Sequence, residues 1–243
     1  MNDLTRLRLR KLWISCTRPK CWKALRNGVT PAVEHKIIIE TMQVDGVVDV
    51  GANRGQFTLL CRLILPEVKV IAFEPITSEA KTFRRVHGTY KNVKLLELAL
   101  GDKTGVATLH LSQSPDSSSL LPIGKKQNEL FSQTEEVGTI TVPVKRRDDL
   151  QEHWTGRSRQ LLKLDVQGFE LNVLKGGVET LKSCSFVYAE CSEVTLYDGQ
   201  SLRPEVETFL HAHGFSRISR HNEQWDGQQL IQADYLFGKT GEN

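Results

Sequence analysis

The sequence predicts an α/β fold built on a mostly parallel sheet. The first observation is a regular alternation of short apolar strands and helices between Gly46 and Leu98. The second is that the same alternation resumes at Gln160. The third is the interruption between these stretches, which contains two strand-like runs and a long polar segment. Because β-α-β units form parallel sheets with right-handed crossovers, we interpret the interruption as an inserted β-hairpin with a polar loop.

The elements before the interruption follow from capping signals and apolar periodicity. Thr30-Pro31 places an N-cap residue before a proline at the first helical position, which predicts a helix ending near Met42. The alternating strands and helices that follow are then predicted, in order, at Gly46–Val50, Gly55–Leu65, Val68–Phe73, Thr77–Val86 and Val93–Leu98.

The interruption and the second half of the chain complete the predicted fold. Val106–Leu111 and Thr139–Val144 have the pattern of an antiparallel pair of strands. Ser112–Gly138 lies between them, and a polar loop of this length in a compact domain is usually a functional lid or disordered. The elements predicted beyond it are strands at Gln160–Leu164, Ser185–Glu190, Phe215–Ser219 and Ala233–Gly238, and helices at Leu171–Leu181, broken at Gly176-Gly177, and at Arg203–Ala212.

Composition indicates a soluble globular chain. Of 243 residues, 39% are hydrophobic and 25% are charged. No apolar run approaches the roughly 18 residues that span a bilayer, and the basic N-terminus lacks the apolar core of a secretory signal. The five cysteines are odd in number and form no C-x-x-C pair, which favours free thiols and argues against zinc. We therefore expect a cytoplasmic location.

Basic residues are concentrated at the N-terminus. The first 30 residues carry eight Lys or Arg and one acid, Asp3, so their net charge is +7, and the remainder carries -4 because the whole chain is +3. We divide the chain into a basic helical arm, residues 1–43, and a main domain, residues 44–243. The arm's apolar residues form no single stripe at helical spacing, which favours a solvated helix; weak contact with anionic lipid is the alternative. The acidic main domain gives no indication of a nucleic-acid surface.

The loop Asp49–Gly55 (DVGANRG) is the first candidate ligand site. Ligands of open α/β sheets bind outside the carboxyl ends of the strands, and Gly51 and Gly55 allow close backbone approach. The spacing is not the G-x-G-x-x-G of a dinucleotide loop, which argues against an NAD-dependent oxidoreductase. Asp49 would repel a phosphate but suits an ammonium group, and Glu74, at the end of the second strand, can accept two hydrogen bonds from a ribose diol. S-adenosylmethionine meets both conditions.

Five segments resemble the FkbM family of S-adenosylmethionine-dependent methyltransferases. They are DVGANRGQF at Asp49–Phe57, FEP at Phe73–Pro75, ALGDKTG at Ala99–Gly105, LLKLDVQGFELNVLKG at Leu161–Gly176 and YAECS at Tyr188–Ser192. The resemblance covers residues 44–238. It implies a Rossmann-like class I methyltransferase fold with a seven-stranded sheet, and O-methylation of a hydroxyl on a sugar, a glycan or a secondary metabolite.

The resemblance also implies which residues bind the cofactor. The residues expected around its methionine end are Asp49, Gly51, Ala52, Asn53, Gly55 and Phe57. Those expected at the ribose are Glu74 and Pro75. Ala99 and Leu100 would flank the adenine, with Asp102 as a candidate partner for its amino group.

A second acidic site follows the fourth parallel strand. Asp165 ends this strand and is the first candidate for the base that takes the proton of an acceptor hydroxyl; a cofactor-facing acid is the alternative. Lys163 lies two residues earlier on the same side of the strand, where it would orient Asp165 or pair with it. Glu170 is a further catalytic candidate, although an acid in the first turn also complements the helix dipole.

Other polar residues are assigned to a metal, to the substrate or to packing. Asp165 and Glu170, together with Glu190 at the end of the next strand, are of the type that binds Mg²⁺, but we do not predict a metal. Substrate contacts are expected from Glu190 and from the serines of the polar segment, with a flexible linker as the alternative: Ser117, Ser118 and Ser119. Histidines without a motif context are assigned to the surface or to packing in the core: His110, His153, His211, His213 and His221. Trp154 and Trp225 are assigned to packing, with stacking on a sugar or ring as the alternative.

Two other functions remain as alternatives. A cofactor-binding module without catalysis would have the same fold, but the intact acids at both strand ends argue against it. A nucleic-acid methyltransferase would need an aromatic pocket for a flipped base, and the D-V-Q-G segment contains no aromatic pair.

Overall fold

The computed structural model describes residues 3–150 and 159–241. Its strands are, in chain order, β1 (Gly46–Val50), β2 (Lys69–Phe73), β3 (Val93–Leu96), β4 (Ala99–Leu100), β5 (Gly105–Ser112), β6 (Glu136–Lys145), β7 (Gln160–Leu164), β8 (Phe186–Ser192), β9 (Phe215–Asp226) and β10 (Gln229–Lys239). Its α-helices are α1 (Asp3–Thr17), α2 (Pro19–Arg26), α3 (Lys36–Met42), α4 (Gln56–Ile64), α5 (Thr77–His87), α6 (Lys125–Leu130), α7 (Glu170–Lys175), α8 (Val178–Lys182) and α9 (Arg203–Ala212). None of the helices in these two ranges is long and apolar enough to cross a membrane.

The main sheet is the predicted α/β scaffold. Within the described ranges it has seven strands in the order β3-β2-β1-β7-β8-β10-β9. The first five run parallel, whereas β10 pairs antiparallel with both β8 and β9. Every residue of β1 and β7 is buried, because both faces of a parallel sheet are covered. The carboxyl ends of β2, β1 and β7 therefore lie side by side at one edge of the sheet, where the candidate motifs occur.

The inserted hairpin is also confirmed. Strands β5 and β6 pair antiparallel in a second sheet, whose order is β4-β6-β5. The predicted third strand was too long: the chain leaves the main sheet after Leu96, and Ala99–Leu100 pairs with β6 instead. The polar segment is ordered rather than disordered. Its apolar residues, among them Leu121 and Ile123, pack against Tyr197 and other residues of a small buried cluster.

The first predicted helix and the last two predicted strands differ from the observed elements. Thr30–Met42 begins with a 3₁₀ turn at Val33–His35, and only Lys36–Met42 is α-helical. The closing strands extend into a long hairpin, β9–β10. The sequence underestimated it because β9 is an edge strand with solvent-exposed residues through most of its length, so the apolar alternation of a half-buried strand is missing.

The basic arm is joined to the main domain by buried contacts. In α2, Cys21 and Ala24 are buried, and Ala24 packs with Val29 against Leu59 and Val86 of the main domain. Within the arm, Lys11 of α1 forms an ion pair of 2.8 Å with Glu34. These contacts fix the position of the arm relative to the sheet edge.

Candidate active site

The loop after β1 is fastened to both neighbouring strands. The backbone N–H groups of Gly51 and Ala52 donate to the Phe73 carbonyl at 3.1 and 3.0 Å. Gly51 has a φ of +72°, and a Cβ atom on it would lie 1.8 Å from the Asp165 carbonyl oxygen. Only glycine therefore fits where the β1 loop crosses the end of β7.

Asp49 lies beneath this loop and is paired with a lysine. Its side chain is fully buried, its Oδ2 accepts a hydrogen bond from Thr58 at 2.7 Å, and its Oδ1 lies 3.2 Å from Lys163 Nζ. Asp49 does not line the pocket described below. The sequence predicts that Asp49 binds the ammonium end of a ligand; in the structure it forms an ion pair with Lys163, since β1 and β7 place the two residues directly opposite each other.

Lys163 connects Asp49 to Asp165. Its ammonium group donates to the Gly51 carbonyl at 2.9 Å and lies 3.6 Å from Asp165 Oδ2. Burial lowers the pKa of Lys163, but the carboxylates of Asp49 and Asp165 outweigh burial, so its pKa is raised above the ordinary value. Lys163 is consequently a fixed cation that holds the glycine loop and cannot accept a proton at neutral pH.

Glu74, at the end of β2, is held between two backbone amides. Its side chain is 5% exposed, and its two oxygens accept the N–H groups of Asn53 and Ile76, both at 2.8 Å. Burial raises its pKa to about 7, although these two hydrogen bonds oppose the shift. Each carboxylate oxygen can accept a second hydrogen bond, so Glu74 retains the capacity to bind a diol.

The loops after β1, β2 and β7 enclose a pocket together with β4 and the polar segment. Most of the residues expected from the sequence line it: Gly51, Ala52, Asn53, Phe57, Glu74, Pro75, Ala99, Leu100, Ser118, Ser119, Lys163 and Asp165. The expected residues outside this lining are Asp49, Gly55, Asp102, Ser117, Glu170 and Glu190.

Asp165 is oriented in the pocket by its neighbours. Its carboxylate is 40% exposed, and its Oδ1 accepts a hydrogen bond from Gln167 Nε2 at 2.8 Å. Gln167 has a left-handed backbone with a φ of 54°, and its Nε2 also donates to Glu190 at 2.8 Å. Tyr197 donates to Gln167 Oε1 at 2.8 Å. The sequence analysis did not select Gln167, although the D-V-Q-G segment contains it.

Glu170 and Glu190 support this loop rather than facing the pocket. Glu170 Oε1 accepts the backbone N–H groups of Val166 and Gly168 at 3.1 and 3.2 Å, and burial raises the pKa of Glu170 to about 7. Glu190 accepts from Gln167 and, at 3.1 Å, from Gln232, and burial raises its pKa well above the ordinary value. Across residues 3–150 and 159–241, no group of three or more His, Cys, Asp or Glu side chains is arranged to hold a metal ion.

The serines of the polar segment attach it to the same loop. Ser119 Oγ donates to the Gln167 carbonyl at 2.7 Å and accepts the N–H of Leu121 at 3.0 Å. The hydroxyl of Tyr197 lies 3.0 Å from the Ser117 carbonyl. Ser119 is thus occupied by structural contacts, whereas its neighbour Ser118 lines the pocket with a hydroxyl that accepts one backbone N–H.

His35 also lines the pocket, although it is not among the residues predicted from the sequence. Its Nδ1 lies 3.0 Å from the Tyr188 hydroxyl and 3.4 Å from Asp234 Oδ2, and its ring packs edge-on against Phe57. No local motif marked His35, because its partners come from β8 and β10, far along the chain. His153 and Trp154, which were assigned to the surface or to packing, lie outside the described residues.

Lys11 and Glu34 complete the pocket lining on the side of the arm. Their ion pair brings α1 to this lining, although the sequence analysis had treated the arm as separate from the site. The arm therefore forms part of the pocket wall.

Comparisons with known proteins agree with this arrangement. The Methyltransferase FkbM domain family matches residues 49–217. The 2-O-methyltransferase NoeI of Sinorhizobium fredii is 27% identical over 186 residues, which are 73% of this chain and 76% of that protein. The hexuronic acid methyltransferase AglP of Haloferax volcanii is 30% identical over 156 residues, 64% of this chain and 59% of that protein.

A solved structure shows the same fold. A candidate rRNA methylase from Clostridium thermocellum superposes with a TM-score of 0.50 at 10% identity, and covers 86% of this chain and 94% of its own. At that identity the likeness concerns the fold alone. The family match spans more than half of the sequence and includes the pocket loops after β1, β2 and β7. The chain therefore belongs to the FkbM family of methyltransferases.

Proposed function

We propose that this enzyme transfers the methyl group of S-adenosylmethionine to a hydroxyl group of a sugar or glycan, with Asp165 as the base. The observation that carries the proposal is a carboxylate in the pocket wall, oriented by Gln167 at 2.8 Å and placed 3.6 Å from the ammonium group of Lys163. A neutral alcohol is a weak nucleophile, and a carboxylate at this position can activate it by accepting its proton.

The pocket fits the cofactor. Gly51 gives the backbone of the β1 loop the close approach that a side chain would block, and Glu74 offers two oxygens to a ribose diol. Ala99 and Leu100 provide apolar surface where the adenine is expected. When bound, the cofactor supplies an electrophilic methyl group on a sulfonium.

The chain's own residues then orient the acceptor and move one proton. Asp165 receives the hydroxyl proton as the acceptor oxygen bonds to the methyl group and the carbon–sulfur bond breaks. Lys163 holds Asp165 beside the β1 loop, with its ammonium group 3.6 Å from Asp165 Oδ2. Gln167 fixes the carboxylate orientation through Oδ1. General-base assistance of this kind contributes about 10²–10⁴-fold.

The acceptor class rests on the polar part of the pocket and on the relatives. Lys11, Glu34, His35, Asp116 and Ser118 together supply donors and acceptors suited to several hydroxyl groups. One relative is named for 2-O-methylation and another for a hexuronic acid. A hydroxyl on a secondary metabolite is the second candidate acceptor.

Three further assignments belong to the same proposal. We assign residues 1–43 to the arm and 44–243 to the catalytic domain, because the main sheet begins at Gly46. We assign the enzyme to the cytoplasm, which the free thiols of the described cysteines support. We assign no metal to catalysis, because Glu170 and Glu190 are engaged by amide donors in the Asp165 loop.

A methyl-transfer screen tests the proposal. The full-length enzyme is incubated with labelled S-adenosylmethionine and a panel of uronic acids, neutral sugars, oligosaccharides and hydroxylated metabolites, with and without chelator. Asp165→Asn serves as the inactive control. We expect label on a sugar hydroxyl, insensitive to chelator and absent with the variant. Label on nitrogen or on a nucleic acid, or full activity of the variant, would contradict the proposal.

A further inference from the structure

Helix α1 has two apolar faces on opposite sides. Leu7, Ile14 and Ser15 are half-buried or buried on the side that also carries Lys11, whereas three large apolar residues on the other side are about half or more exposed: Leu9 at 51%, Leu12 at 48% and Trp13 at 67%. With Cys16, which is also exposed, these three occupy positions i, i+3, i+4 and i+7 of one helical stripe. The sequence alone showed no single stripe, because the apolar residues of α1 are divided between these two faces.

The exposed stripe continues onto the second helix. Trp22 of α2 is 51% exposed, and its indole N–H donates to the Cys16 carbonyl at 3.0 Å, which places it at the end of the stripe. We call this surface the arm stripe and define it as Leu9, Leu12, Trp13, Cys16 and Trp22. A contiguous apolar surface with two tryptophans is characteristic of an interaction site, unlike isolated apolar side chains on a surface.

Basic residues lie on the same two helices as the arm stripe or at their junction. Their exposed side chains are Arg10, Arg18, Lys23 and Arg26, of which Lys23 also donates to Thr89 Oγ1 at 3.4 Å. Between Asp3 and Glu34 the sequence contains eight Lys or Arg and no acidic residue. Binding to a polyanion would use the basic residues but not the apolar stripe. Binding to an apolar groove of another protein would use the stripe but not the basic residues. An anionic bilayer uses both, because apolar side chains enter the acyl boundary while basic residues contact the headgroups.

We infer that the arm stripe docks the enzyme on the surface of an anionic phospholipid bilayer. The opposite side of α1 carries Lys11, which lines the catalytic pocket. Because a helix with its side chains is about 10 Å across, docking brings the pocket within roughly one helix diameter of the headgroups. The enzyme then acts on an acceptor presented at the membrane, such as a sugar carried by a lipid; this second part rests on the proposed function.

Vesicle sedimentation of the full-length chain tests the docking. Phosphatidylcholine vesicles with and without phosphatidylserine are compared for the wild type, for Trp13→Ser/Trp22→Ser and for Arg10→Gln/Arg18→Gln/Lys23→Gln/Arg26→Gln. Val106→Ser/Val137→Ser is the matched control, because Val106 and Val137 are 74% and 64% exposed but belong to β5 and β6 rather than to the arm. We expect binding only to the anionic vesicles, weakened at least tenfold by both arm variants and unchanged by the control.

The outcomes separate docking from the proposed function. Binding to anionic vesicles that is unaffected by either arm variant would overturn the inference. So would a stripe-dependent dimer in sedimentation velocity without vesicle binding, or stripe-dependent retention on RNA alone. Cofactor affinity and methylation of a soluble acceptor should be the same in Trp13→Ser/Trp22→Ser as in the wild type. Methylation of a lipid-linked acceptor in anionic vesicles should fall only in the arm variants. If the proposed function is wrong, neither the wild type nor any variant should methylate a sugar acceptor, whether or not the protein binds vesicles.

Discussion

Replacing Glu74 with glutamine tests how the buried carboxylate binds the cofactor. The substitution preserves the size of the side chain but removes its charge. In the wild type the amides of Asn53 and Ile76 each donate to a different carboxylate oxygen, whereas glutamine offers them only one oxygen. A hydrogen bond to a charged group contributes about 1.5–3 kcal/mol, so affinity for S-adenosylmethionine should fall by roughly ten- to hundredfold. Isothermal titration calorimetry measures this loss directly.

The raised pKa of Glu74 adds a pH signature. In the free enzyme its pKa is about 7, and the hydroxyl groups of a bound ribose would stabilise the ionised form. Cofactor affinity should therefore decrease as the pH falls below about 7, and Glu74→Gln should remove this dependence. Glu170→Gln is the matched control, because Glu170 has a pKa of about 7 but lies outside the pocket. It should retain the pH dependence.

The same shift has an opposite consequence for stability. A carboxyl group with a folded-state pKa above its unfolded value binds more protons in the fold, so its contribution to stability is lost as the pH rises from about 4.5 to 7. Without cofactor, the wild type should therefore lose stability relative to Glu74→Gln as the pH rises through this range. Unchanged cofactor affinity in the folded variant, with the pH dependence intact, would refute the assignment of Glu74.

Three further substitutions test the parts of the site separately. Gly51→Ala should strongly destabilise the fold and abolish cofactor binding, because the added Cβ would lie 1.8 Å from the Asp165 carbonyl; a wild-type melting temperature would contradict this geometry. Lys163→Met should lower the free energy of unfolding by about 3–5 kcal/mol in urea titrations, because it leaves buried Asp49 without its cation, and adding Asp49→Asn should restore part of the loss. Tyr197→Phe should cost about 1 kcal/mol of stability with little change in cofactor affinity, since its hydroxyl contacts Gln167 and Ser117 and Tyr197 itself does not line the pocket; a large loss of affinity would give Tyr197 a direct role.

The sequence predicted the scaffold well where local pattern determines structure. The bounds of β1, β7 and α9 agree with the structure, because continuous apolar runs and a proline at the start of a helix are local signals. The glycine loop and Glu74 were predicted from the same kind of local signal, and each lies directly at the end of a strand. The resemblance to the FkbM family, which rested on these loops, is confirmed by the family match.

The remaining features depend on contacts that local pattern does not encode. Asp49 meets Lys163 because β1 and β7 are in a particular register, and no residue near Asp49 in the sequence reveals it. His35 and Asp234 come together from opposite ends of the chain. Glu170 has the sequence position of an active-site acid, but its Oε1 accepts two backbone N–H groups of the Asp165 loop, so only the fold shows that it is outside the pocket.

The central claim is that Asp165 takes the acceptor proton, and His35 provides the most informative comparison. Both residues line the pocket, but His35 is directed by its Nδ1 toward Tyr188 and Asp234, whereas Asp165 is held beside the β1 loop by Lys163. His35→Gln should therefore reduce the transfer rate much less than Asp165→Asn. The reverse order would assign the base to His35.

The most direct measurement is the single-turnover rate of methyl transfer by Asp165→Asn at saturating S-adenosylmethionine and acceptor, with the cofactor dissociation constant measured on the same sample. We expect the rate to fall by about 10²-fold or more while cofactor affinity changes little, because the substitution removes an interaction that is made only in the transition state. A rate near that of the wild type, combined with weakened cofactor binding, would contradict the account and make Asp165 a cofactor ligand.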